Sequence, residues 1–68
     1  MEKKIVQPQL NLRRVMGKKR VNDEGLANMI GLTRAAVNAI VCGRTSPSLK
    51  RLYQIADALE VHIFELFS

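Results

Sequence analysis

The sequence predicts a single all-α domain of five short helices. Two observations carry this prediction: apolar residues recur at helical spacing in several separate segments, and residues that start or end helices lie between those segments. The chain has 68 residues, which allow a modest core and leave no room for a separate sensor or catalytic domain. The domain is predicted over 8–68, after a flexible tail at 1–7 that shows no helical pattern.

Helix 1 is predicted from Pro8 to about Lys19, because proline suits the first turn of a helix. Its apolar stripe consists of Leu12, Val15 and Met16. Asn22 is the predicted N-cap of helix 2, and Asp23 and Glu24 then occupy the first turn, where the helix dipole favours negative charge.

The segment from Asp23 to Cys42 has the clearest pattern, two short helices with a sharp break between them. Gly31 can take the left-handed conformation of a helix exit, and Thr33 can cap the following helix. Ala27 is small where the two helices would cross closely. The combination is typical of a helix-turn-helix, whose second helix presents short side chains and the long Arg34 to the DNA major groove.

Helix 3 is predicted over about 34–41, with Gly43 at its C-terminal cap. Helix 4 is predicted to begin at Ser46 and Pro47, a serine cap followed by proline at the first helical position. Its buried stripe is predicted to comprise Leu49, Leu52, Ile55, Ala56 and Leu59. A last short helix from Ile63 to Phe67 is expected to close the core.

The charge of the chain is positive and segregated. The net charge is +5 and the sequence pI is about 10.0, and every lysine and arginine lies between Lys3 and Arg51. From Leu52 onward the charged residues are Asp57, Glu60 and Glu65. The basic part is expected to bind an anionic partner, with nucleic acid first and a membrane surface second. A basic surface that serves only solubility is the alternative.

The residues give no sign of catalysis, a metal site or a cofactor. Cys42 is the single cysteine, so no internal disulfide is possible, and its apolar neighbours predict a small core or boundary residue. His62 has no partner at metal-ligand spacing, and no nucleophile, base and orienting group form a set. With neither a signal-peptide core nor a membrane-spanning apolar run, the expected location is the cytoplasm.

Several motifs occur in a fixed order along residues 10–67. They are Leu26-Ala27, Gly31, Thr33, Gly43, Pro47, the helix 4 pattern from Leu49 to Leu59, and Glu65-Leu66-Phe67. This ordered set resembles the lambda-repressor-like helix-turn-helix family, the Cro and XRE class. The resemblance implies a compact five-helix fold and a sequence-specific regulator of transcription that binds duplex DNA, most simply as a repressor.

The chain departs from the family pattern in three respects, one of which concerns a pair of positions. The family often pairs an arginine late in helix 1 with a glutamate late in helix 3, and Met16 and Val41 stand there in this chain. A packing contact is therefore expected in place of an ion pair. Asp23 stands where the family often has a phosphate-binding glutamine, and a carboxylate cannot donate to a phosphate. Phe64 stands at a position that is usually polar.

The base contacts are predicted on helix 3. Arg34 can pair with guanine O6 and N7, and Asn38, one turn further on the same face, can pair with adenine. Ala35 can touch a thymine methyl group. The alternatives are a phosphate contact or solvation for Arg34, and solvation for Asn38. The predicted contacts to the DNA backbone are Arg13, Asn22, Thr33, Arg44, Thr45, Ser46 and Ser48.

A lone domain of this size reads few base pairs, so a homodimer on a palindromic site is predicted, with Phe64 and Phe67 at its interface. The alternative is that Phe64 packs inward. A second functional hypothesis is an antitoxin-type module that neutralises a protein partner and binds its own operator. A third is a nucleoid-type binder with little sequence preference.

Overall fold

The computed structural model describes residues 10–67, and within this range the fold is all-helical. Four α-helices are followed by a short 3₁₀ helix, so the predicted fifth helix is a 3₁₀ helix and ends one residue earlier than expected. The bounds are α1 Leu12–Lys19, α2 Asp23–Ile30, α3 Arg34–Val41, α4 Leu49–Ala58 and the C-terminal 3₁₀ helix Ile63–Leu66.

The first helix begins at Leu12, so its predicted start at Pro8 is wrong. Leu10 forms an antiparallel bridge with Phe67, and the Asn11 N–H donates to the Leu66 carbonyl at 2.6 Å. The backbone at Leu10 and Asn11 therefore bonds to the C-terminal end of the described residues and is not helical. Pro8 and the predicted tail at 1–7 lie outside the described residues.

The helix-turn-helix segment is capped as its sequence predicts. The Asn22 side chain accepts a hydrogen bond from the Gly25 N–H at 2.7 Å, and Thr33 Oγ1 accepts one from the Ala36 N–H at 3.1 Å. Gly31 ends α2 with φ +74°, and the next N–H returns to the Ala27 carbonyl. These bonds satisfy backbone groups that a helix end leaves free, which fixes both ends of the turn.

The start of α4 differs from the prediction. Ser48, not Ser46, is the N-cap, and its Oγ accepts a hydrogen bond from the Arg51 N–H at 3.1 Å. Pro47 precedes the helix, which begins at Leu49. Two serines flank the proline, and the chain uses the second, so Leu49 becomes the first helical residue. Leu49 is 64% exposed and does not belong to the buried stripe as predicted.

The core lies between all five helical elements. Its buried members are Leu12, Val15, Met16, Leu26, Ala27, Val37, Ile40, Ile55, Ala56, Leu59 and Leu66. Met16 is buried in this cluster and Val41 is half-buried against it, and the contact between the two side chains stays a prediction. Cys42 is exposed, which contradicts its predicted core or boundary position. Cys42 lies just after the last turn of α3 and faces outward.

Two arginines make hydrogen bonds between helical elements. Arg14 Nη2 donates to the Glu65 carbonyl at 3.4 Å, which ties α1 to the C-terminal 3₁₀ helix. Arg51 Nη1 donates to the Ile30 carbonyl at 3.4 Å and to Gln54 Oε1 at 2.8 Å, so it links α4 to the C-terminal end of α2. No helix among residues 10–67 is long and apolar enough to cross a membrane.

Candidate nucleic-acid interface

One side of helix α3 is buried in the core, and the other side, called the open side below, is accessible to solvent. Val37 and Ile40 are buried in the core, whereas Arg34 and Ala35 are exposed. Asn38 is half-buried and lies one turn after Arg34 on the same row. The open side of α3 therefore carries the three residues predicted to contact bases.

Ala39 belongs to the same open side and was missed by the sequence analysis. It is half-buried and follows Ala35 by four residues, so the two alanines form a second row beside Arg34 and Asn38. The spacing from Ala35 was the signal that would have found it. Two small side chains in a row let the helix backbone come close to a partner surface.

A first open depression joins three of the predicted contact residues. Its volume is about 480 Å³. It is lined by Arg13, Met16, Gly17, Val21, Asn22, Asp23, Glu24 and Arg34. Arg13 of α1 and Arg34 of α3 are thus brought together beside the start of α2. The two acids at that helix start, Asp23 and Glu24, give the depression a mixed charge.

A second depression lies at the end of α3 and gathers part of the following loop. Its volume is about 380 Å³, and Cys42, Thr45 and Ser46 are among its lining residues. The predicted backbone contacts therefore fall into two groups, one at each end of α3. Arg44 lies in the same loop and is exposed.

Three of the predicted backbone contacts are helix caps. Asn22, Thr33 and Ser48 each accept a hydrogen bond from the N–H three residues later, at the starts of α2, α3 and α4. A helix start offers free N–H groups and the positive end of the helix dipole, which favour an anion. Thr33 and Ser48 each also carry a hydroxyl hydrogen, which donates to no other group within residues 10–67.

The Asn38 side chain is hydrogen-bonded at both ends of its amide. Its Nδ2 donates to Asp23 Oδ2 at 3.1 Å, and its Oδ1 accepts from Arg44 Nη2 at 2.8 Å. The Cys42 thiol lies 3.7 Å from the same oxygen. A residue predicted to read a base is thus joined to residues before and after α3, and sequence periodicity gave no sign of these contacts.

The two phenylalanines predicted at a dimer interface differ in their surroundings. Phe64 is 76% exposed, so the alternative in which it packs inward is not what the structure shows. Phe67 is half-buried and packs against the core, and its backbone pairs with Leu10. Phe64 lines a depression together with Tyr53 and His62, and the Phe64 and His62 ring centroids are 4.7 Å apart. Tyr53 is also exposed and was not predicted to belong to this patch.

The capped α2–α3 pair, with the small buried residue Ala27 on α2 and left-handed Gly31 at the turn, has the geometry of a helix-turn-helix. The family model for this helix-turn-helix domain matches residues 12–66, almost the whole of the described chain. The chain belongs to the Cro/C1-type helix-turn-helix family. No curated protein matches the sequence.

Membership of this family indicates the general function of the domain. The family consists of DNA-binding regulatory domains and is generally non-enzymatic. Within this domain α3 is the second helix of the helix-turn-helix.

Proposed function

We propose that this helix-turn-helix domain binds duplex DNA at specific sequences and acts as a repressor, with α3 in the major groove. The observation that carries the proposal is the position of Arg34. It is the exposed first residue of α3, and exposed Ala35 stands next to it. The first residues of a recognition helix are those that reach base edges.

Arg34 is the principal base reader in this proposal. Its guanidinium can donate two parallel hydrogen bonds to guanine O6 and N7. Ala35 and Ala39 let α3 sit deep in the groove, and their methyl groups can touch a thymine methyl. The amide of Asn38 is already hydrogen-bonded within the protein, and its part in binding is a separate question.

The DNA backbone is held on both sides of α3. Arg13, with Asn22 and Thr33 at two helix starts, contacts phosphates on one side. On the other side the contacts are Arg44, Thr45, Ser46 and Ser48. Arg51 is not assigned to this footprint because it already donates to Ile30 and Gln54 within the fold. Phosphate contacts of this kind fix orientation and leave the reading of sequence to α3.

The active form in this proposal is a homodimer in the cytoplasm. Phe64 is largely exposed beside Tyr53, on elements other than the recognition helix, so a second copy can cover this patch while α3 remains free. Half-buried Phe67 is joined to Phe64 through the backbone, since its N–H donates to the Phe64 carbonyl at 3.2 Å. Two copies would place two α3 helices on the half-sites of a palindrome.

The proposal is tested by incubating the protein with a random pool of duplex DNA at physiological salt and sequencing the retained molecules. An enriched palindrome is expected, with half-site spacing that reports the dimer geometry. Retention only at low salt, without any enriched sequence, contradicts specific binding and favours the nucleoid-type function.

The exposed Phe64 and Tyr53 patch also supports a second candidate function, an antitoxin-type module that neutralises a protein partner. The two candidates differ in what covers the patch. Light scattering on the protein alone and on the enriched duplex separates them, because a repressor dimer gives twice the mass of one chain. A monomer in both conditions contradicts the dimer and favours a different protein partner.

A further inference from the structure

One polar side chain connects three parts of the helix-turn-helix domain. Asn38, in the middle of α3, bonds to Asp23 at the start of α2 and to Arg44 in the loop after α3. Asp23 and Asn38 are half-buried, and Arg44 is exposed. The contact with Asp23 spans 15 residues of sequence, so it is formed by the fold and not by local chain geometry.

The chemistry of the two partners fixes the orientation of the Asn38 amide. An ionised carboxylate only accepts hydrogen bonds, so the amide end facing Asp23 must be the NH₂ group. A guanidinium only donates, so the end facing Arg44 must be the oxygen. Rotating the amide by half a turn would place donor against donor and acceptor against acceptor. The three side chains therefore have one satisfied arrangement.

The hydrogen bond from Arg44 to Asn38 restricts the motion of the Arg44 side chain. Arg44 Nη2 donates to Asn38 at 2.8 Å, and the remaining guanidinium N–H groups make no hydrogen bond to residues 10–67. An exposed arginine normally loses considerable side-chain freedom when it binds a phosphate. Arg44 has already lost part of that freedom in the free protein, so it should bind a phosphate more tightly than an unrestrained arginine.

We propose that Asn38 is a positioning residue, which acts on DNA through Arg44 and does not read a base, while Asp23 fixes the amide that holds Arg44. This inference rests on the proposed function and assigns the phosphate contact of Arg44 to a specific internal support. It also gives Asp23 a role. The carboxylate cannot donate to a phosphate, but it can orient the residue that positions a phosphate-binding arginine.

A double-mutant cycle tests the proposal on the duplex that the wild-type protein enriches. Asn38→Ala should weaken binding roughly threefold to tenfold, because Arg44 must then lose all of its side-chain freedom on binding DNA. Arg44→Ala should weaken binding and lower the salt slope by about one. In the Arg44→Ala background, Asn38→Ala should change affinity by less than about twofold, because the residue through which it acts is missing.

Lys18→Ala is the matched control for Arg44→Ala, since it removes an exposed cation that makes no bond to Asn38. The full effect of Asn38→Ala should persist in the Lys18→Ala background. Additive effects of Asn38→Ala and Arg44→Ala would overturn the proposal. Lost preference at one A·T base pair in Asn38→Ala, with affinity for other sequences unchanged, would instead make Asn38 a base reader.

Asp23→Asn tests the support without removing Asn38 or Arg44. Its matched control is Glu24→Gln, which removes the same charge from the neighbouring exposed residue. Both variants should gain affinity from reduced repulsion of DNA, but Asp23→Asn should bind about threefold more weakly than Glu24→Gln, because a neutral amide at position 23 holds the Asn38 amide less strongly than a carboxylate does. Equal affinities would overturn the role of Asp23.

A measurement on the free protein separates this inference from the proposed function. The ¹⁵N relaxation of the Arg44 side chain should show less motion than that of Arg20, an exposed arginine outside the network. Asn38→Ala should remove this difference. Equal mobility of the two arginines in the wild type overturns the inference, whatever the DNA-binding experiments show. Failure of the wild type to enrich any duplex overturns the proposed function instead.

Discussion

Asn38 in the middle of α3 donates a hydrogen bond to Asp23 at the first position of α2, with 3.1 Å between Nδ2 and Oδ2. The two helices of the helix-turn-helix are thus joined by a polar bond as well as by their apolar faces. Both residues are half-buried, so the bond is shielded in part from competing water. The orientation of α3 relative to the start of α2 should depend on it.

The hydrogen bond between Asn38 and Asp23 is tested by exchanging the two side chains and measuring the free energy of unfolding. Asn38→Asp places two carboxylates against each other and should lower the free energy of unfolding by about 1–2 kcal/mol. Adding Asp23→Asn should restore most of that loss, because an amide again faces a carboxylate and the net charge returns to its original value. Urea denaturation of the wild type, both single variants and the double variant measures the effect. A double variant less stable than Asn38→Asp alone would contradict the bond.

Arg34→Ala should remove the preference for one guanine in the enriched duplex. A bidentate arginine–guanine pair is worth about 1–3 kcal/mol of discrimination, so the variant should accept other bases there with similar affinity. Lys18→Ala serves as the control, since an exposed cation on α1 should affect all sequences equally. The measurement is competitive binding with single-base variants of the site. A uniform loss of affinity for all duplexes in Arg34→Ala would show that Arg34 contacts a phosphate and does not read a base.

Phe64→Ser should convert the predicted dimer to a monomer without unfolding it. Phe64 is 76% exposed in one copy, so its replacement should change the stability of the folded chain by no more than about 0.5 kcal/mol. Met29→Ser is the control, because Met29 is 54% exposed and lies outside the Phe64 patch. Light scattering gives the mass and circular dichroism the fold. Dimerisation that survives Phe64→Ser would place the interface elsewhere.

The fold was predicted well where short-range chemistry decides it. Asn22 and Thr33 cap their helices through bonds to the N–H three residues later, and such bonds depend only on local sequence. Near Pro47 local sequence allows two serine caps, and the choice of Ser48 moves the start of α4 by two residues and exposes Leu49. Local rules could not separate these two starts.

For the candidate site, the sequence predicted which residues lie on the open side of α3 but not the hydrogen bonds that they make. Helical spacing correctly placed Arg34, Ala35 and Asn38 on the open side of α3. It could not show that Asn38 is bound to Asp23, because that contact joins residues far apart in the chain. Cys42 was misplaced for a related reason, since its apolar neighbours suggested burial although it lies beyond the last turn of α3.

Glu60→Gly should stabilise the domain through the end of α4. Glu60 has φ +58°, a left-handed conformation that strains a residue with a Cβ atom, whereas glycine occupies the equivalent turns at Gly31 and Gly43. The bonds from the Glu60 and Val61 N–H groups to the Asp57 and Ala56 carbonyls require this conformation.

The expected gain is about 1 kcal/mol in the free energy of unfolding, and Glu60→Ala is the control because it removes the same charge but keeps the strained Cβ atom. Urea denaturation of the two variants beside the wild type gives the comparison. If Glu60→Ala stabilises the chain as much as Glu60→Gly, the gain comes from the lost carboxylate and not from the backbone conformation.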